Sequence, residues 1–161
     1  MTLHTEGGFI RVNKCDGSIK AETGGGNIEV NEIAGAAQIE TGGGSIHFGP
    51  IKGGVQAVTA GGAIYARLAR GGSFTNSRLE TSVGDIVVYV PEGLGMDVRA
   101  AVEVARGYGI KSEFSELKIS PASQNVGTRE AYAEGSLNGG GPVLHVHTTA
   151  GNIEFRREAR R

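Results

Sequence analysis

The spacing most suggestive of metal chemistry is His145-Val146-His147, which on a strand points two imidazoles to the same side. Such a pair chelates a divalent ion only with a third or fourth ligand, and none stands close by in the sequence, so no metal site is expected. A second set, Arg11, Glu29, His47, Tyr65 and Val87, recurs at near-constant intervals. If each interval is one turn of a repeating structure, Arg11 lies beside Glu29 and His47 beside Tyr65. Polysaccharide-cleaving sites need clustered carboxylates shielded enough to tune their pKa values. Here the expectation is a solvated mixed-charge face instead. Glu22 and Glu40 fall in another such column as like charges, with Lys20 near enough to relieve them in part. Cys15 aligns with Ile33 and Ile51 and reads as a small buried hydrophobe, not a nucleophile. The glycine runs follow a Thr and open a strand, with no GxxxxGK[ST] and no helix behind them, so they are not phosphate loops. No catalytic, cofactor-binding or metal-binding residue is therefore assigned, and no cofactor is expected.

What positions these residues is a repeat. Thr23-Gly24-Gly25-Gly26-Asn27-Ile28-Glu29-Val30 returns as Thr41-Gly42-Gly43-Gly44-Ser45-Ile46-His47-Phe48, with related copies opening at Thr5 and Thr59. The interval is 18 residues three times running. Gly17, Gly35, Gly53 and Gly71 keep the same spacing, as do Cys15, Ile33, Ile51 and Ala69. Ile10, Ile28, Ile46 and Ile64 form the strongest ladder, joined two residues on by Val12, Val30, Phe48 and Ala66. Apolar residues at i and i+2 with polar ones between predict a strand with one buried face. A second strand per repeat covers Ile19–Glu22, Ala37–Glu40 and Val55–Val58. Each repeat is then one coil of two short strands and two glycine corners, and stacked coils lie about 4.8 Å apart with like side chains over like. The stacked Thr23, Thr41 and Thr59 are expected to be corner structure. A flat hydroxyl array for a glycan or ice needs more than one Thr per coil.

The expected fold is all-β: a single-stranded right-handed parallel β-helix (β-solenoid) of 18-residue coils, forming one domain over 1–161. Regular coils run over about 5–90, with about four residues inserted near Arg70 to Asn76, since Thr81 follows Thr59 by 22. A degenerate coil and a polar excursion or cap occupy about 91–138. A closing coil follows over about 139–156, and then a basic tail over 156–161. Arg156, Arg157, Arg160 and Arg161 are expected to protect that end as an edge. A hexapeptide helix is excluded because stepping by six from Ile28 places Glu40 inward. A calcium roll is excluded because the chain has only Asp16, Asp85 and Asp97.

Composition agrees with this picture. The 28 glycines among 161 residues, with 4 prolines and no Gly-X-Y period, favour a corner-rich β protein over collagen. No Trp and few aromatics imply a narrow aliphatic core. A net charge of −1 gives no argument for nucleic acid or an anionic membrane. One cysteine excludes an internal disulfide framework, and no apolar run is long enough to insert in a membrane. The chain opens directly on a repeat with no signal peptide, so it is expected to be part of a longer protein.

The Thr-x-x-Gly-[Asn/Asp]-Ile pattern at Thr23, Thr81 and Thr148, the run from Pro91 to Gly95 and the run from Gly139 to Pro142 carry a resemblance. Together, and in this order, they resemble a widespread group of bacterial envelope proteins classed as adhesin-like, a family without an assigned activity. The resemblance spans nearly the whole chain. It implies a β-helix that is exported or attached to the cell envelope, and it offers no catalytic residues. The expected function is thus a non-enzymatic structural or interaction module, with cell-surface or glycan components as partners. Two alternatives are a scaffold binding itself through end-to-end or lateral contacts, and a carbohydrate-binding or carbohydrate-active β-helix.

Overall fold

The computed structural model describes residues 2–68, 76–90, 95–103, 110–113, 118–120, 131–137 and 139–157. The expectations placed on Ala69, Gly71, most of the insertion before Asn76, Pro91 to Leu94, Arg160 and Arg161 lie outside them. Among the described residues there are sixteen strands and no helix. In chain order they are β1 (Thr2–Thr5), β2 (Ile10–Val12), β3 (Ile19–Thr23), β4 (Ile28–Val30), β5 (Ala37–Thr41), β6 (Ile46–Ile51), β7 (Val55–Thr59) and β8 (Ile64–Leu68). There follow β9 (Ser77–Val83), β10 (Ile86–Val90), β11 (Met96–Val102), β12 (Ile110–Ser112), β13 (Lys118–Ser120), β14 (Ala131–Leu137), β15 (Val143–Ala150) and β16 (Ile153–Arg157).

Consecutive strands up to β10 alternate between two sheets. The first sheet has the order β1-β3-β5-β7-β9-β15-β11-β14-β13 and the second β12-β16-β10-β8-β6-β4-β2. Pairing within the repeats is parallel and advances by one repeat each time: Ile10 faces Ile28, Ile28 faces Ile46, and Ile46 faces Ile64. The isoleucine ladder expected from the sequence is present and continues through Ile86 and Ile153 to Ile110. In the first sheet Ala21, Ile39, Ala57 and Leu79 stack in the same way. All of these are buried, and the inward residues of both sheets form one aliphatic core. Cys15 bridges to Ile33 as the alignment predicts, buried, with its thiol donating to the Gly17 carbonyl at 3.3 Å.

The C-terminal third departs from chain order. The segment expected to close the stack, 139–156, lies inside it: β15 sits between β9 and β11, and β16 between β10 and β12. The template explains the choice. Thr148 and Ile153 match Thr81 and Ile86, so stacking β15 and β16 on β9 and β10 continues both ladders without a break. Arg156, expected at an edge, therefore belongs to an inner strand, where it faces Tyr89. The polar excursion also contains strands. β14 runs antiparallel to β11 from Met96↔Leu137 to Val102↔Ala131, and β13 runs antiparallel to β14. Gly139 and Gly140, at φ +92° and +85°, make the turn between β14 and β15 that side chains would oppose.

Candidate functional site

The corner threonines settle first, because burial decides their role. Thr41 and Thr59 are 2% and 1% exposed. The Thr41 hydroxyl donates to the Gly26 carbonyl of the preceding repeat at 2.9 Å and accepts the Gly44 amide of its own corner at 3.2 Å. Thr23 makes the same two bonds with Gly8 and Gly26. Thr59, Thr81 and Thr148 donate to Gly44, Gly62 and Gly84. This ladder clamps neighbouring repeats and presents no hydroxyl face to a ligand. Thr41→Val should cost about 1–3 kcal/mol in chemical denaturation, because it strands a half-buried carbonyl and a buried amide. An unchanged midpoint would contradict the clamp.

Chemistry is left to the two outer faces. On the first sheet, His145 faces Arg78 on one side and Arg99 on the other, while His147 lies between Glu80 and Ala101. Val146 between them is buried, so both imidazoles point outward as expected. They border an open groove of about 710 Å³ together with Arg78, Glu80, Arg99 and Glu134. His147 Nε2 lies 3.1 Å from a Glu103 oxygen, and the Thr149 hydroxyl reaches the other oxygen at 3.5 Å. His147 Nδ1 is buried with no hydrogen-bond partner among the described residues. Glu103 is the residue sequence reasoning missed. It is 44 positions from His147 and reaches it only because β11 pairs with β15, an arrangement with no local signal. Among the described residues no group of three His, Cys, Asp or Glu side chains stands where it could hold a metal ion. Further along this face Glu22 and Glu40 are register neighbours, and Lys20 and His4 approach Glu22 at 3.5 and 3.6 Å.

On the second sheet the predicted column is assembled in full. Arg11, Glu29, His47, Tyr65 and Val87 are successive register neighbours, and Glu154 and Lys111 extend it. Arg11 reaches Glu29 at 4.0 Å. The His47 and Tyr65 rings stack at 4.7 Å with 19° between their planes. The next outward position on β8 and β10 adds a contact the sequence reading did not foresee: Arg67 lies over the Tyr89 ring at 5.5 Å. Arg156 donates to a Glu154 oxygen at 2.7 Å. That hydrogen bond first, and then the carboxylate's charge, hold its guanidinium above the ordinary arginine value. Two shallow grooves of about 530 and 330 Å³ meet on this face, and Tyr65 and Tyr89 border both.

Among the described residues the outward carboxylates are half-exposed or exposed: Glu29 and Glu134 lie near arginines, Glu80 and Glu103 both lie beside His147, and Glu22 and Glu40 repel. The molecule is thus an all-β protein built from repeated parallel strand pairs. No family model, curated protein or solved structure matches this chain.

Proposed function

We propose that the chain is a right-handed single-stranded β-solenoid serving as a non-enzymatic interaction module of the bacterial cell envelope. The observation that carries this reading is a division along every strand. Inward positions are aliphatic and buried in repeat after repeat, while the outward column of the second sheet changes type at every step, from Arg11 to Glu29, His47, Tyr65 and Val87. A catalyst concentrates its distinctive residues in one cleft, whereas a rod with varied sides offers extended surfaces for contact. The alternation of β1 to β10 between two sheets, with a constant register step, supports one coil per repeat. The right hand rests on the handedness rule for parallel crossovers. The envelope assignment rests on the resemblance carried by Thr23, Thr81 and Thr148.

The test is co-sedimentation of the purified chain with isolated bacterial envelopes, followed by analysis of the envelope polysaccharides. Saturable binding with unchanged polymer is expected. Absence of binding would contradict the reading. So would release of sugar ends that stops in Glu29→Gln or His47→Ala, because it would make the protein an enzyme.

A further inference from the structure

We propose that the outer face of the second sheet is a binding site for a linear polysaccharide, one of whose sugar rings stacks on Tyr65 while Tyr89 borders the same grooves. This rests on the interaction-module reading and names the ligand class. The first support is where the aromatics go. Among the described residues the core takes Phe48 and Phe155, while Phe9, Tyr65 and the half-buried Tyr89 border the grooves of this face, with Phe9 57% and Tyr65 36% exposed. Exposed rings such as Phe9 and Tyr65 on one surface are a binding signal.

The geometry of Tyr65 is the second support. His47 covers one face of its ring. The next residue in the column is the shorter Val87, and beyond it lie Glu154 and Lys111. Tyr65 therefore stands as a wall between the two grooves, and Val87 forms a low floor on the side away from His47. A pyranose placed there lays its apolar C–H face on the phenol ring, and its hydroxyls meet Glu154, Arg156 and Lys111. Gly49 borders the other groove and carries no side chain, because a Cβ there would run into the Asn31 carbonyl of the neighbouring repeat.

Shape and charge select among occupants. The grooves meet at Tyr65 and Tyr89 on a sheet of seven strands, which at 4.8 Å per step spans about 29 Å along the stack. An open track of that length suits several units of a linear polymer better than one small molecule. Glu29, Asp85 and Glu154 line it beside Arg67, Lys111 and Arg156. That balance is poor for a phosphate backbone, which requires cations in excess. It is well suited to hydroxyls, which donate to carboxylates and accept from cationic side chains.

The test is titration of the full chain with hexamers of glucose, N-acetylglucosamine and galacturonic acid, followed by ligand-observed NMR and by tyrosine fluorescence, which no tryptophan obscures. At least one hexamer should bind. Tyr65→Ala and Tyr89→Ala should each weaken it by about tenfold or more, with melting temperatures near that of the parent. Gln56→Ala, on the outer face of the other sheet, should bind as the parent does. The proposal is overturned if no hexamer binds, or if both tyrosine variants bind like the parent. It is also overturned if single-stranded oligonucleotide binding or self-association is what those variants abolish. Intact envelope binding together with failure on all three hexamers would remove this inference and leave the interaction-module reading standing.

Discussion

Gly44→Ala is expected to lower stability by at least about 3 kcal/mol, while Gly43→Ala one residue earlier stays within about 0.5 kcal/mol or stabilises slightly. The two glycines share a corner and differ in what lies beneath them. A Cβ on Gly44 would fall 2.1 Å from the Gly26 carbonyl oxygen and 2.4 Å from its carbon, both backbone atoms of the repeat below. No rotamer relieves such a contact, so the two repeats must move apart at that corner. Separation stretches the bond from Thr41 to Gly26, and displacement of Gly44 disturbs the bond it accepts from Thr59 of the next repeat. A Cβ on Gly43 meets nothing within 4 Å, and its backbone is outside the left-handed region. The cost is thus one of close approach between stacked repeats, not of unusual φ. Denaturant titration of the two variants checks it, and equal midpoints would contradict the stacking at this corner.

The second large effect is expected at Ile46. Ile46→Ala should cost about 2–5 kcal/mol, and its neighbour His47→Ala at most about 1 kcal/mol. Ile46 is fully buried, held between Ile28 and Ile64, so truncation leaves a void that neighbouring ladder residues on both sides cannot easily fill. His47 points outward and has only the stack with Tyr65 to lose. Losses of similar size at the two positions would place this strand one residue out of register.

Much of this was legible because a short period constrains everything it repeats. An interval of 18 residues with apolar i and i+2 positions determines which side chains meet: Ile28 on Ile46, Arg11 beside Glu29, His47 beside Tyr65. The glycine corners were legible too, although the sequence left positive φ and close approach both open, and Gly44 is a case of close approach. The rest depends on pairings without a local signal. The template copy at Thr148 marks another repeat but not its place in the stack, so the insertion of β15 between β9 and β11, the pairing of Glu103 with His147 and the inner position of Arg156 are not legible from it. The antiparallel β14 carries no copy of the template, and its alternation was lost in a polar stretch. The aromatic track was missed for a simpler reason. Tyr89 and Arg67 stand one outward position beyond the column that was followed, and a bulge between His47 and Pro50 shifts that second column out of step.

The claim beneath all of this is that each of the repeats up to β10 hydrogen-bonds to the next one along the chain. Scalar couplings measured through hydrogen bonds by NMR read that directly. Couplings are predicted from the amide of Ile10 to the carbonyl of Asn27, from Ile28 to Ser45 and from Ile46 to Ala63. Amides of β4 or β6 coupled instead to carbonyls within their own repeat, as in a hairpin, would contradict it.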